Sequence, residues 1–439
     1  MQPLSRRSFL KTTAAGSALA ALPRLAAQPA ASIPNTGHSS NDVLKRDDGL
    51  ERQLLRPFSE LNPKNTEGSG IVLKDGSILL LWTEFLDENL LPAAKRPPPS
   101  PKRRGPKTDD GYARISGMIS KDGGRTWSAP RVYADDADAR VNTMSPAITR
   151  LQDGRLMLAY SWRSGGNHKD NYGPCARRVR FSSDEGATWS DPVRITPDDG
   201  TYHTGCHDRA WVLPSGRILV QCHTNRPRRR ANGEEYYHKT VYLAYSDDAG
   251  KSWHHSNILT EDRGVGCNES CLVPRADGSL LMVLRTTLGR PMFSESRDDG
   301  ATWTEPRPYV VTAPDAPTYL TRIPGTHDIL MVWNNNFNPA ATHELKVPAG
   351  ADGPARQVTL SRHAVTRCPL LCAVSRDGGR SWGLPRALET DINYEWAYPG
   401  VVFHGDYALI HYFRSPAVVR GRELMLARVP IKWLYEDTV

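Results

Sequence analysis

The stretch "SRDGGRSW", Ser375 to Trp382, is one of five copies of a cassette with the pattern S-x-D-x-G-x-[ST]-W. The others are "SKDGGRTW" (Ser120 to Trp127), "SSDEGATW" (Ser182 to Trp189), "SDDAGKSW" (Ser246 to Trp253) and "SRDDGATW" (Ser296 to Trp303). They recur at intervals of roughly 50 to 80 residues, so the chain reads as an array of similar supersecondary units. Asp and Ser/Thr side chains bond backbone amides in tight turns, Gly takes the positive φ such turns demand, and Trp offers a large ring for packing. Every one of these roles is structural. Asp122, Asp184, Asp248, Asp298 and Asp377 are therefore read as turn formers and not as catalysts.

A second repeat lies between the cassettes: an apolar strand, a polar turn and another apolar strand. It reads "IVLKDGSILLLWTEF" from Ile71, "ITRLQDGRLMLAYSWR" from Ile148, "WVLPSGRILVQCHTN" from Trp211 and "CLVPRADGSLLMVLRTT" from Cys271. Weaker copies follow from Thr321 and Val401. Apolar runs on both sides of a D-G or S-G turn predict hairpins whose strands are covered on both faces. Five of the six hairpins lead into a further strand and then a cassette, so each unit is about four strands, with no helical periodicity in between. Four-stranded units repeated radially make a β-propeller, and six copies predict an all-β, six-bladed β-propeller. The strand "ELMLARVPIKWLY" near the C-terminus is expected to close the ring with one borrowed from the other terminus.

The first residues, "LSRRSFLKTTAAGSALAAL", join a twin arginine (Arg6, Arg7) to a short apolar stretch, the pattern of an export signal too short to span a bilayer. We expect residues 1–27 to be a twin-arginine signal peptide, 28–50 a linker and 51–439 the propeller, with a Pro-rich basic insertion at 86–108 predicted as a mobile loop beside the pocket. A periplasmic or secreted protein without a membrane anchor follows. The formal net charge of +8 is local. Arg6, Arg7, Lys11 and Arg24 lie in the signal, and Lys95, Arg96, Lys102, Arg103, Arg104 and Lys107 crowd the insertion, so no nucleic-acid partner is implied. Seven cysteines leave at least one unpaired within the chain. Cys206 and His207, like Cys222 and His223, are neighbours on strands whose successive side chains point apart, so no metal and no cofactor is expected.

The cassettes correspond to Asp boxes, and the chain resembles the bacterial sialidase (neuraminidase) family over nearly all of its length. That resemblance implies an Asp acid/base before the first cassette, a Tyr nucleophile working with a Glu, and three Arg that hold a substrate carboxylate. Mapped onto this chain, the acid/base is Asp109 or Asp110 in "TDDGYARISGMIS", the Glu is Glu269 in "GCNESCLVPRADG", and the nucleophile is Tyr398 in "YEWAYPGVVF". Arg285 in "VLRTTLG" and Arg367 in "TRCPLLCAVS" resemble two of the three Arg. The third departs: Thr66 and Glu67, in "NPKNTEGSGIVLKDG", stand where the family has its first-blade Arg. Either Arg56 or Lys64 reaches in, or the substrate is not an ordinary sialoside. His207, Asp208 and Arg209 in "GCHDRAW", and Asn142 to Ser145 in "NTMS", precede hairpins and are read as substrate-binding candidates at the same mouth.

The implied activity is that of an exported, retaining exo-α-sialidase-like glycoside hydrolase, monomeric, acting on a glycan or glycoconjugate. A propeller glycosidase or lyase for a different sugar, and a non-catalytic glycan-binding propeller, are the alternatives. Sugar and linkage are not readable from these residues. Changing Arg6 and Arg7 to Lys is expected to leave unprocessed precursor in the cytoplasm, checked by cell fractionation; normal export of that variant would remove the basis for the twin-arginine reading.

Overall fold

The computed structural model describes residues 43–45, 48–166, 171–229, 233, 235–260, 266–335, 343–347, 356–360, 366–417 and 421–436; the predicted signal lies outside them. Helix is nearly absent among these residues, with two short 3-10 turns at Ala93–Lys95 and Ile431–Tyr435. The chain is an all-β propeller.

Antiparallel meanders follow one another. The first joins Lys64–Val72, Ile78–Phe85, Ala113–Ser120 and Arg131–Ala134. Next comes a nine-stranded sheet, two meanders joined where Tyr202–Thr204 pairs with Cys175–Ser182 in parallel. Two four-stranded sheets come after it, built on the hairpins Asn268–Pro274 with Leu280–Arg285 and Tyr319–Arg322 with Ile329–Asn334. The last sheet runs from Tyr394–His404 through Tyr407–Pro416 and Glu423–Pro430 to Glu51–Arg56 and Val43–Lys45. The C-terminal strand thus pairs with N-terminal chain, as the closure argument requires, and the segment expected as a linker contributes a strand. A hairpin not foreseen from sequence, His343–Val347 with Arg356–Leu360, interrupts the sheet that carries Ile329–Asn334.

The continuous apolar runs are explained by burial on both faces. In Ile78–Phe85, Ile78, Leu80 and Trp82 pack against Leu409, Leu424 and Leu426 of the closing sheet. Leu79 and Leu81 face the other way, onto Ile148, Leu156 and Leu158. Met157 and Ala159 then meet Ile218 and Val220, and Leu219 and Leu243 meet Leu272 and Met282. Leu281 and Val283 join a cluster that reaches Leu330, Ile410 and Met425. Each sheet is glued to two neighbours, at about 1.5–3 kcal/mol for every large apolar side chain fully buried. All seven cysteines are buried thiols, so no disulfide contributes.

The cassettes form the turns between the third and fourth strands. In "SRDDGATW", Ser296 Oγ donates to Asp298 Oδ1 (2.8 Å) and accepts from the Gly300 amide (2.9 Å). Asp298 also accepts from the Thr302 amide (2.9 Å) and hydroxyl (2.6 Å). The same pattern recurs around Asp122, Asp184, Asp248 and Asp377. The turn sets a Trp into the seam with the preceding sheet: Trp127, Trp189, Trp253, Trp303 and Trp382 each pack in a different core cluster or its edge, except that the large cluster spans three sheets. Gly300 is needed for its φ of +83°, and a Cβ there would press on Leu219 of the neighbouring sheet at 3.1 Å.

The Pro-rich segment, expected as a mobile loop, is largely exposed and is tethered at its near end. Leu86 and Leu91 bury against Tyr112, Arg103 pairs with Glu88 (2.7 Å) and lies over the Tyr112 ring, and Arg96 donates to the carbonyls of Leu91 and Asn89. Composition undervalued two leucines with an aromatic partner, and the basic side chains serve as internal hydrogen-bond donors.

Since the Asp298 turn stands between outer strands, Asp298→Ala is expected to lower Tm by a few degrees, about 1–2 kcal/mol for the lost hydrogen bonds, with turnover per folded molecule unchanged. Thermal melts and specific activity check it; a well-folded variant with little turnover would place the cassette in the active site.

Candidate active site

The site is built on one backbone device. On the innermost strand of the first sheet, Thr66 pairs with Thr83 and Ser69 with Leu81, so that Glu67 and Gly68 together oppose one residue. Equivalent bulges put Ser145 and Pro146, Glu269 and Ser270, and Tyr398 and Pro399 opposite a single partner. The first residue of each bulge is left-handed: φ is +57° at Glu67, +57° at Ser145, +25° at Glu269 and +59° at Tyr398. Asp208, between the paired segments of the third meander, shares the conformation at +52°. Non-glycine residues rarely accept this region, and a bulge here re-aims a side chain that the pleat would send into a seam.

Tyr398 donates its phenol proton to Glu269 Oε1 (3.0 Å). Arg285 Nη1 donates to Glu269 Oε2 and to the Tyr398 oxygen (3.1 Å), while its Nε donates to Asp315 Oδ1 (2.7 Å). Burial, then the Glu269 charge, pushes the Tyr398 phenol well above its ordinary value, so it is neutral. Burial alone would raise Glu269, but Arg285 and His223 outweigh it and hold the carboxyl low. Asp315 is likewise buried yet held at about 2 by Arg285. Arg367 donates to Glu395 Oε1 (2.6 Å) and to the Asp315 carbonyl (2.8 Å), and its guanidinium lies 5.8 Å from the Tyr398 ring centroid. Rings brace the tyrosine on both sides, His207 at 5.4 Å and Phe413 at 5.5 Å between centroids.

The first sheet supplies a second acidic group. Glu67 Oε2 accepts from Ser145 Oγ (2.7 Å) and Thr83 Oγ1 (3.2 Å). Burial, helped by the charges of Asp109 and Glu269, raises its carboxyl to about 7. Lys64 is the basic residue that reaches in, with Nζ 2.6 Å from Asp109 Oδ1 and 4.0 Å from the Phe85 ring. Arg56 instead lies beside Glu84 at 3.6 Å and over Trp82. Lys64 holds Asp109 well below the usual carboxylate range, an effect that solvent screens because the Asp109 side chain is 68% exposed.

The two aspartates part company. Asp109 faces the mouth, and Asn142 fixes its backbone by donating to the carbonyls of Asp109 and Gly111, both at 2.8 Å. Asp110 points away into a buried ion pair with Arg163 (2.6 Å) and accepts from Asn171 (3.1 Å). Of the three residues read as a binding group, His207 and Arg209 lie beneath the mouth. His207 is fully buried and neutral, its pKa driven down by burial, and its Nε2 donates to the Pro399 carbonyl (3.3 Å) directly behind Tyr398. Asp208 accepts from Ser69 Oγ (2.7 Å). Arg209 is fully buried, donates to the carbonyls of His207, Asp208 and Thr318, and stacks on Tyr319. His207 and Arg209 support the bulges from below.

Asp315, Glu395 and Arg422 were missed. Asp315 could have been found, since "APDAPTY" precedes the fifth hairpin, a few residues ahead of the place where the other sheets carry their site residues. Arg422 carries no such signal. Among the described residues no group of three or more His, Cys, Asp or Glu could hold a metal ion.

With this geometry in hand, comparison with known proteins places the chain. Residues 104–411 match the BNR repeat-like domain family, and residues 3–23 match the twin-arginine translocation signal, which marks the chain for export across a membrane. No helix among the described residues is long and apolar enough to cross one. A sialidase of Paraclostridium sordellii is 26% identical over 212 residues, 44% of this chain and 50% of that protein. The chain thus spans about half the length of the curated relatives it matches first. A Dyadobacter fermentans protein of unknown function superposes with a TM-score of 0.59 at 18% identity, covering 85% of this chain and 96% of the other. The intramolecular trans-sialidase of Ruminococcus gnavus gives 0.60 at 13% identity, covering 86% and 97%. The match over residues 104–411 places the chain in the BNR repeat-like domain family, and with its sialidase relatives and the shared propeller it belongs to the bacterial sialidase family.

Proposed function

We propose that the chain is an exported, retaining exo-glycosidase of the exo-α-sialidase kind, a monomer that releases a terminal acidic sugar from a glycan or glycoconjugate. Its propeller, residues 51–439, counts six blades when the nine-stranded sheet is taken as two, and the signal ends near residue 27. The observation that carries the reading is the Tyr398 to Glu269 hydrogen bond of 3.0 Å, gripped by Arg285.

The chemistry follows from the charges. A sugar with a carboxylate on its anomeric carbon repels an anionic nucleophile, whereas the Tyr398 phenol is neutral until it attacks. As its oxygen bonds to the anomeric carbon, the phenol proton passes to Glu269, which Arg285 keeps ionised and ready. The bond to the leaving oxygen breaks, and Asp109, at the exposed rim where a leaving group departs, supplies the proton. Binding of the leaving group must first draw Asp109 away from Lys64, so that the exposed carboxylate takes up a proton from solvent before it acts as the acid. Asp109 then takes a proton from the water that displaces Tyr398, Glu269 returns its proton to the departing Tyr398 oxygen, and two inversions give retention. Arg285 and Arg367 face the carboxylate. Glu67, uncharged below about pH 7, can stand near that carboxylate without repelling it.

Tyr398→Phe is expected to fold, to bind substrate as before and to lose turnover about a thousandfold or more, roughly 4 kcal/mol of barrier; full activity on the best substrate found among a panel of glycosides would sink the mechanism. Asp109→Asn is expected to spare activated aryl glycosides and abolish hydrolysis of poor leaving groups. If Glu67→Gln gives that signature instead, the proton comes from Glu67.

A specific observation favours a second reading: Glu67 stands where the family resemblance calls for an arginine, which suits a different sugar. The pH dependence decides between them. Ionisation of Glu67 above about pH 7 adds a negative charge to the site. The KM for an acidic sugar is therefore expected to rise by about tenfold, the effect of about 1.4 kcal/mol of repulsion, while that for a neutral analogue stays level. Glu67→Gln is expected to flatten the profile. A neutral sugar hydrolysed better than any acidic one, with no such pH dependence, would establish the second reading.

A further inference from the structure

Three arginines belong to the mouth, and two of them are committed. Arg285 is held by Glu269, Asp315 and Tyr398, and Arg367 by Glu395 and the Asp315 carbonyl. Arg422 differs. Its backbone is fixed: the amide donates to the Pro63 carbonyl (3.0 Å), and its carbonyl accepts from the Asn65 amide (2.9 Å). A parallel bridge joins it to Lys64. Its guanidinium lies 4.5 Å from the Phe413 ring centroid, and Phe413 in turn packs on Tyr398. Glu395 and Asp109 are close enough for their charges to act on it, with the neutral Tyr398 phenol and Glu67 also nearby. Yet among the described residues the guanidinium has no hydrogen-bond or ion-pair partner, and the residue is only half-buried.

Such a side chain is a poor stabiliser and a good receptor. An arginine needed only to balance Asp109 or Glu395 would close on one of them as Lys64 and Arg367 have done. Here the five N–H donors are left open while the backbone and the stacked ring restrict the fork, so little freedom remains to be lost when an anion arrives. The arginine also stands at the seam where the closing sheet meets Lys64, on the side of the mouth where the first sheet presents Glu67.

We propose that Arg422 is a substrate-binding residue that takes the carboxylate of the acidic sugar, making the closing sheet, and not the first, the source of the anion-recognising charge on that side. The inference rests on the acidic-sugar reading above. It predicts discrimination between a sugar acid and its ester that depends on one side chain.

The test is calorimetric binding of N-acetylneuraminic acid and its methyl ester to the mature wild-type protein, Arg422→Gln and Arg422→Lys, with KM and kcat on an aryl N-acetylneuraminide. In Arg422→Gln the Kd for the acid is expected to rise about tenfold to a hundredfold, as for loss of hydrogen bonds to a charged group, with the ester unaffected. KM is expected to follow Kd, and Lys to recover part of the loss. If the wild type prefers the acid and Arg422→Gln keeps that preference, the role of Arg422 is overturned and the acidic-sugar reading stands. A wild type that binds both alike, or neither, overturns that reading and this inference with it. Should Arg422→Gln melt early, Arg422→Lys decides alone: a several-fold loss for the acid only supports the proposal, and equal affinity overturns it.

Discussion

The site depends on a backbone conformation that most residues avoid. A flat innermost strand would turn alternate side chains into the two seams beside it, where Leu, Ile and Trp already fill the space. The bulge at Glu67, Ser145, Glu269 and Tyr398 breaks that alternation and lets one polar side chain per strand leave the seam. A left-handed non-glycine residue costs on the order of 1–3 kcal/mol, so several of them around one mouth must be held by the surrounding structure. The holding groups can be named. Arg177 donates to the Ser145 carbonyl (2.8 Å), Arg209 to the carbonyls of His207 and Asp208, and His207 to the carbonyl of Pro399. Glycine is required beside two bulges, since a Cβ at Gly68 or Gly400 would strike His411 at 2.6 or 2.2 Å.

Packing makes that strain bearable. Every inner strand lies between two apolar seams, and the seams run from sheet to sheet until the closing sheet meets the first. A bulge cannot relax without moving both seams. The cassettes act at the outer ends of the same sheets, where an Asp-centred turn seats a Trp and a close-packed Gly against the neighbouring sheet. They therefore influence the site only through the rigidity of the ring. The two kinds of recurring geometry, cassette and bulge, divide the work: one holds sheets together and the other turns side chains toward the mouth.

What could be read from sequence follows from this division. Hairpins and cassettes are local patterns of apolar runs, turn residues and a Trp, and they announce the repeat directly. The bulges lie at a fixed offset before the hairpins, so Glu67, Ser145, Asp208, Glu269 and Tyr398 were all legible by position. Orientation was not: His207 and Arg209 flank Asp208 in sequence yet sit below the mouth, and Asp110 turns into Arg163 while its neighbour Asp109 faces solvent. Arg422 was illegible because its place is set by ring closure, through contacts with Pro63 and Asn65 more than 350 residues earlier in the chain. The tether of the insertion was not legible because its composition hid two leucines that find Tyr112.

Electrostatics then gives the acidic groups different work. Glu269, Asp109 and Glu67 lie within reach of one another's charge, and like charges so close cannot all ionise freely. Arg285 takes Glu269 and Lys64 takes Asp109, so both stay ionised, and Glu67, offered only hydroxyl donors, carries the cost of burial as a raised pKa. The outcome is an ionised carboxylate against a neutral phenol, a second ionised carboxylate at the rim, and a carboxyl with a raised pKa at the wall. Had an arginine replaced Glu67, the wall would be cationic and Ser145 and Thr83 would lose their acceptor. With Glu67 in place, any charge that would attract an anionic sugar has to come from elsewhere around the mouth, and Arg422 is the guanidinium there without a hydrogen-bond or ion-pair partner among the described residues.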